Sequence, residues 1–302
     1  MNRRDFIQKS LLASAAIQFG FIPDLAADSS SVKLTILHTN DTHSRIDPFP
    51  LTDSKFGGMG GIAKRAALIE KIRQQETNVL LLDAGDLFQG TPYFNFFNGE
   101  VEVKAASSLG YEAVTMGNHD FDAGLEGFIK QLPNAKYDIL VANYVFEEKE
   151  LKNTVKPYKI FVKSGIRIGV FGLGVEPAGL VPAKLYGGTK YIDPIGTAQE
   201  IVQELHHKKC DLVICLSHLG YEYAYTKVSD KVLAAQTEGI DLIIGGHTHT
   251  FLTEPQSFTN KKGGQVYIAQ VGWAGINLGK IDVYFTKQKR TKTIEGTAMI
   301  VK

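Results

Sequence analysis

The sequence predicts an α/β protein with one domain over residues 32–302. Two observations carry this. Short apolar, β-branched runs alternate with amphipathic helical stretches as far as residue 246, the pattern of strands joined by crossover helices. No Pro/Gly/Ser-rich linker, internal repeat or low-complexity tract interrupts that alternation, and 302 residues suit one large α/β domain.

The elements follow in order. Strand-like runs are LTILH (34–38), VLLLD (79–83), EAVTM (112–116), DILVAN (138–143), IRIGVFG (166–172), DLVICLS (211–217) and DLIIGG (241–246). Most are continuously apolar, as strands buried on both faces are. Helical patterns occupy 62–75, 101–109, 125–132, 195–207 and 228–237. In the first of these, Ala66, Ile69 and Ile72 fall on one face with charges between them. After residue 264 three strand-like runs, QVYIAQVG, GINLGKIDVYF and TIEGTAMIV, succeed one another without helices. They predict an antiparallel meander closing a second sheet. Two loops stand out. Residues 47–61 are rich in Pro and Gly, and residues 87–99 carry five aromatics that either fill core or stand exposed beside the site.

Composition excludes several function classes. The formal net charge is +1 with basic residues scattered, so neither nucleic acid nor a membrane surface is an expected partner. Lys208-Lys209 and the run 287–290 fit solvated faces. The N-terminus predicts an export signal over residues 1–27: Arg3-Arg4, then Phe6, Ile7 and Lys9, a mildly apolar stretch over 11–22, and Ala26-Ala27 before Asp28. It is similar to a twin-arginine signal, with Asn2 where Ser or Thr is usual, which implies a periplasmic or secreted protein. Ser14, Gln18 and Gly20 make the stretch too short and polar to span a membrane. The only cysteines, Cys210 and Cys215, lie on or beside one predicted strand. Five strand residues span roughly 16 Å, whereas a disulfide needs Cα atoms within about 7 Å, so these two do not pair.

Five segments carry the chemistry: DTH (41–43), GD (85–86), GNHD (117–120), His218 and GHTH (246–249). Each follows a predicted strand, where a parallel sheet gathers its loops. Asp41 and His43 are two apart, as are His247 and His249, so each pair can face one ion. The Asp86 carboxylate has two oxygens and can bridge two cations, with Gly85 allowing the tight turn before it. The amide oxygen of Asn118 is a hard neutral donor. Of eight histidines, His43, His119, His218, His247 and His249 sit just beyond strand ends. His38 falls inside the first strand, and His206 and His207 close a helix.

In context these segments (TILHTNDTHSRI, FGGMGGIAKRA, DAGDLFQGTP, GYEAVTMGNHDFDAG) resemble the calcineurin-like metallophosphoesterases, their 5′-nucleotidase branch most closely, over residues 33–285. The resemblance implies a four-layer α/β/β/α sandwich with mixed sheets and two divalent metal ions, zinc, manganese or similar. One would be held by Asp41, His43, Asp86 and His249, the other by Asp86, Asn118, His218 and His247. His119 and Asp122 would be the catalytic His–Asp pair, with Asp120 behind them. Purple acid phosphatases place a Tyr ligand where this chain has Gln89, so redox-inert ions are expected. The implied reaction is hydrolysis of a phosphate ester, a nucleotide for this branch, by a hydroxide bridging the two cations. A cyclic phosphodiesterase, a UDP-sugar hydrolase and a thiosulfohydrolase share the scaffold. A reading of another class is a metal-stabilised subunit without turnover. Full-length 5′-nucleotidases of this branch add a second domain that binds the base. For this sequence the resemblance therefore raises the expectation of a separate substrate-binding chain, with 57–61 and 93–97 as docking surfaces.

Overall fold

The computed structural model describes residues 32–286 and 292–302. The expected export signal and the basic run 287–290 lie outside the described residues. The chain runs β1 (Val32–Thr39), α1 (Ile62–Gln75), β2 (Val79–Asp83), α2 (Pro92–Phe97), α3 (Glu100–Leu109), β3 (Ala113–Val114), α4 (Gly124–Gln131) and β4 (Asp138–Ile139). It continues with β5 (Tyr144–Val145), α5 (Lys149–Thr154), β6 (Tyr158–Lys163), β7 (Ile166–Leu173), α6 (Ala183–Tyr186), β8 (Lys190–Tyr191), α7 (Pro194–His207) and β9 (Leu212–Ser217). Last come α8 (Asp230–Gln236), β10 (Leu242–Gly245), β11 (Gln256–Thr259), β12 (Gln265–Ala269), β13 (Asn277–Phe285) and β14 (Lys292–Ile300).

Two six-stranded sheets result, in the orders β14-β13-β1-β2-β3-β4 and β11-β12-β10-β9-β7-β6, with β5 and β8 as a separate pair. Strands β1 to β4 are mutually parallel, as are β7, β9, β10 and β12. The remaining edges are antiparallel, β13–β14 on the first sheet and β6 and β11 on the second.

Period-two alternation builds the layers. Leu34, Ile36, Leu80 and Leu82 of the first sheet meet Ile168, Val170, Ile214, Leu216, Leu242 and Ile244 of the second in a core between the sheets. On the outer face of the first sheet, Leu37, Leu81 and Val114 pack against Ile69, Ile72, Val103, Ala106 and Phe128 of the helices. On the outer face of the second, Val213, Cys215 and Ile243 pack against Ala198, Val202, Leu205 and Leu233. Strands apolar on both faces are therefore covered twice, which gives the expected α/β/β/α sandwich. Local signals set the boundaries of α7 cleanly. Asp193 caps it by accepting from the N–H groups of Ile195 and Gly196, with Pro194 at the first helical position.

Three expectations are corrected. The C-terminal runs do not form one meander. β12 joins the second sheet parallel to β10, whereas β13 and β14 form a hairpin on the first sheet beside β1. From Gly279 onward the burial of β13 alternates, marking a strand with one covered face, but alternation does not say which sheet supplies the cover. EAVTM contracts to the two-residue β3. The aromatic loop contains α2, which buries Phe94 but leaves Phe96 77% and Phe97 47% exposed. Both cysteines are free, as expected, with Cys215 buried.

Candidate metal centre

The C-terminal ends of β1, β2, β3, β9 and β10 open on one edge of the sandwich, and the five segments follow those strands. There the structure brings two groups of donors together. Asp41, His43 and His249 form one, and Asp86, His218 and His247 the other; within each group the donor atoms all lie within 4.8 Å of one another. Asp86 touches both: its Oδ2 is 3.1 Å from His218 Nε2 and 3.9 Å from His43 Nε2. His43 Nε2 and His249 Nε2 are 3.0 Å apart, and His249 Nε2 is 3.4 Å from Asp41 Oδ1. Asn118, eight per cent exposed, turns a buried Oδ1 that has no hydrogen-bond partner.

The residues fit a pair of divalent cations. Orphaned buried acceptors are rare, yet Asn118 Oδ1 is buried without a hydrogen bond, and the buried His218 Nε2 faces the Asp86 carboxylate 3.1 Å away. The far ring atoms explain which nitrogens face inward. His218 Nδ1 donates to Ala84 O at 2.7 Å and His43 Nδ1 to Phe88 O at 3.2 Å, which fixes each tautomer and leaves Nε2 as the donor atom. Burial lowers the pKa of His43 and brings that of His247 down to about 4, so both rings are neutral at pH 7. Burial opposes ionisation of Asp86, but the imidazoles of His218, His43 and His119 outweigh it and hold the carboxyl below the usual range. His218 moves the other way. Burial disfavours its charged form, yet Asp86 raises its pKa to about 10, so a cation binding there displaces a proton.

Backbone geometry aims these side chains. Asp41, His43, Asp86, His247 and His249 all adopt positive φ, a conformation non-glycine residues seldom hold. Glycines make room. At Gly117 a Cβ would stand 2.1 Å from Asp86 Oδ1 and 2.5 Å from His218 Nε2.

His119 and Asp122 also meet as expected. His119 Nδ1 bonds Asp122 Oδ2 at 2.8 Å, and the His119 ring lies 5.3 Å from that of His43. The hydrogen bond to Asp122 is the main cause that raises the His119 pKa. The backbone N–H of His119 donates to Asp86 Oδ1 at 2.7 Å, which ties the pair to the bridging carboxylate.

Other residues complete the frame. Asp120 accepts from the N–H groups of Asp86, Leu87, Phe88 and Gly117, locking two donor loops together. Its place inside GNHD was the only signal for it. Asn40 binds Gly272 O at 2.6 Å and Val271 N–H at 2.9 Å. Gln270 donates to Gly246 O at 2.8 Å and accepts from Thr248 and Thr250. Trp273 stacks on His249 with centroids 5.7 Å apart. Asn40, Gln270 and Trp273 escape sequence reasoning because their partners lie far along the chain.

Comparison with known proteins agrees with this geometry. The sequence profile of the calcineurin-like phosphoesterases matches residues 34–251, a stretch that includes every donor from Asp41 to His249. The chain is 33% identical to a snake venom 5′-nucleotidase of Gloydius brevicauda over 93% of its own length and 50% of the relative's. It is 32% identical to the 5′-nucleotidase of Homo sapiens, over 89% of this chain and 49% of that one. A 5′-nucleotidase precursor from Thermus thermophilus superposes with a TM-score of 0.81 at 33% identity, covering 89% of this chain and 55% of that chain. The chain thus spans about half the length of the curated relatives it matches. Profile, relatives and architecture together establish that the chain belongs to the calcineurin-like phosphoesterase family.

Proposed function

We propose that the protein is a metal-dependent phosphomonoesterase acting on nucleoside 5′-monophosphates. Asp41, His43, Asp86 and His249 hold one divalent cation in this reading, and Asp86, Asn118, His218 and His247 the other. The observation that carries it is the position of Asp86, whose carboxylate reaches both donor groups while the His119–Asp122 pair stands beside them. When bound, two such cations supply Lewis-acid charge and a water of lowered pKa.

The chain's own residues do the rest. Asp122 accepts from His119 Nδ1–H, orients the ring and raises its pKa, so the protonated ring presents Nε2–H to the phosphoryl group and gives that proton to the leaving oxygen, ending neutral with Nδ1–H still on Asp122. The His119 side chain is 41% exposed, so it can meet a substrate arriving from solvent. Asn118 would offer its unpartnered amide oxygen to the second cation, and the adjacent His119 would face the substrate phosphate.

Among the described residues no helix is long and apolar enough to cross a membrane. We further propose that residues 1–27 direct export, on the strength of Arg3-Arg4 and the apolar stretch behind it, and that 32–302 form the catalytic domain.

The test is turnover of p-nitrophenyl phosphate and AMP by the purified protein with added manganese or zinc, alongside bis-p-nitrophenyl phosphate, a cyclic nucleotide and a UDP-sugar. Preference for AMP supports the reading. Preference for the diester or the UDP-sugar would reassign the substrate. Absence of all hydrolysis with two metals bound would leave a subunit without turnover.

A further inference from the structure

The loop between β9 and α8 passes the second donor group and carries a platform there. Tyr223 is pinned by its hydroxyl, which donates to Leu219 O at 2.6 Å. Its ring end rests over Gly220, whose φ is +93° and where a Cβ would lie 2.4 Å from the Tyr223 hydroxyl oxygen. The Tyr223 ring faces His247 with centroids 6.5 Å apart. Lys227 places its ammonium 4.6 Å from the centroid of the same ring. A cation is thereby held one ring away from a candidate metal ligand.

Lys227 is half-buried and makes no ion pair with a carboxylate among the described residues, whereas Lys231, four residues on, pairs with Glu222 at 2.5 Å. Burial lowers the Lys227 pKa against the field of Glu176, and its charge is one of those that act on His247. Arg45, two residues after His43, lies over Phe49 and in the field of Asp47 and Asp53. An ammonium partly removed from water without an anion is costly. Such a group complements an anion that arrives with the substrate.

We propose that Lys227, steadied on Tyr223, binds a non-bridging oxygen of the substrate phosphate and favours dianionic monoesters over monoanionic diesters. This rests on the phosphoesterase reading above and deepens it. Two cations serve either ester, but a monoester carries one more negative charge, and a protein cation beside them rewards that charge. Lys227 lies outside the donor set, so its replacement removes no metal ligand.

The experiment compares wild type, Lys227→Met and Lys227→Arg on p-nitrophenyl phosphate and bis-p-nitrophenyl phosphate, with inorganic phosphate as inhibitor. Lys227→Met is expected to lower kcat/KM for the monoester about tenfold more than for the diester, the loss of one charge-assisted contact, mainly through KM. It should weaken phosphate inhibition by a similar factor at unchanged metal content, and Lys227→Arg should recover most of both. Equal losses on the two esters would mark a structural role and overturn the proposal, as would unchanged kinetics. If wild type hydrolyses neither ester, the parent reading falls. Calorimetry of inorganic phosphate on metal-loaded protein then decides this one: equal affinity in wild type and Lys227→Met refutes it, and weaker binding by the variant supports it.

Discussion

Five donor residues, Asp41, His43, Asp86, His247 and His249, hold φ between 47° and 71°. Each such residue costs about 1–2 kcal/mol relative to ordinary backbone, so something must hold the loops. Asp120 does much of this through four backbone N–H groups. Replacing it with Ala orphans buried donors at about 1–3 kcal/mol each. Asp120→Ala is expected to lower Tm by several degrees and to weaken metal uptake, read by melting curves and elemental analysis. An unchanged melt would mean that water takes over those N–H groups. His119 behaves differently, because no donor group includes it. His119→Ala should cut kcat about 10²–10⁴-fold while metal content stays near two per chain, and loss of metal would recast His119 as a ligand. At this scale the sequence was most legible as a set: one Asp or Asn past an apolar run is ordinary turn chemistry, but five of eight histidines there with acids beside them are not. Gln270 and Asn40 were illegible because their role lies in whom they touch.

Elements place these residues, and short ones do as much as long ones. β3 has two residues, yet the Gly117 that follows lets Asp86 and His218 approach. Gly117→Ala should push the Asp86 carboxylate off its position and lower metal content in both groups, with far-UV circular dichroism unchanged. Full metal content in that variant would show that the loop yields. The β1–β13 pairing holds a second device. His38 is opposite Gly279, fully buried, with Nδ1 unpartnered, and burial lowers its pKa to about 3. The fold therefore favours neutral His38, and the unfolded chain, near 6.5, binds the proton more readily. This contribution is intact above pH 6.5 and is lost as pH falls from there toward 3, at about 1.4 kcal/mol per pH unit. Urea midpoints at pH 7.5 and 5.5 should fall more for wild type than for His38→Gln, and equal falls would count against the assignment. Central strands and long helices were legible from periodicity. Edge strands β6 and β11 were not, because half-exposed strands share the composition of loops.

The described residues build two six-stranded sheets packed face to face, and each candidate metal site is built across one end of that seam. One group takes Asp41 and His43 from the first sheet and His249 from the second, and the other takes Asp86 from the first and His218 and His247 from the second. The order of motifs along the chain foretold convergence, but not that two separate sheets would contribute, because alternation alone does not assign a strand to a sheet. Each cation would thus act as a clasp between layers whose apolar seam otherwise ends at this edge. Without cations, His218 offsets part of the charge of the buried Asp41 and Asp86 carboxylates, while the rings of His43 and His247 are neutral. A ligand that binds only the folded state stabilises it by about 2.7 kcal/mol at a hundredfold excess over Kd. Chelation is therefore expected to lower Tm by several degrees, and manganese or zinc to restore it in a concentration-dependent way. In Asp86→Asn, which alters the carboxylate common to both groups, the metal-dependent part of that shift should largely vanish. A melt that stays the same after complete removal of metal would mean that the seam and the hydrogen bonds of Asp120, Gln270 and Asn40 alone set the donor geometry, and that the cations contribute chemistry but no cohesion.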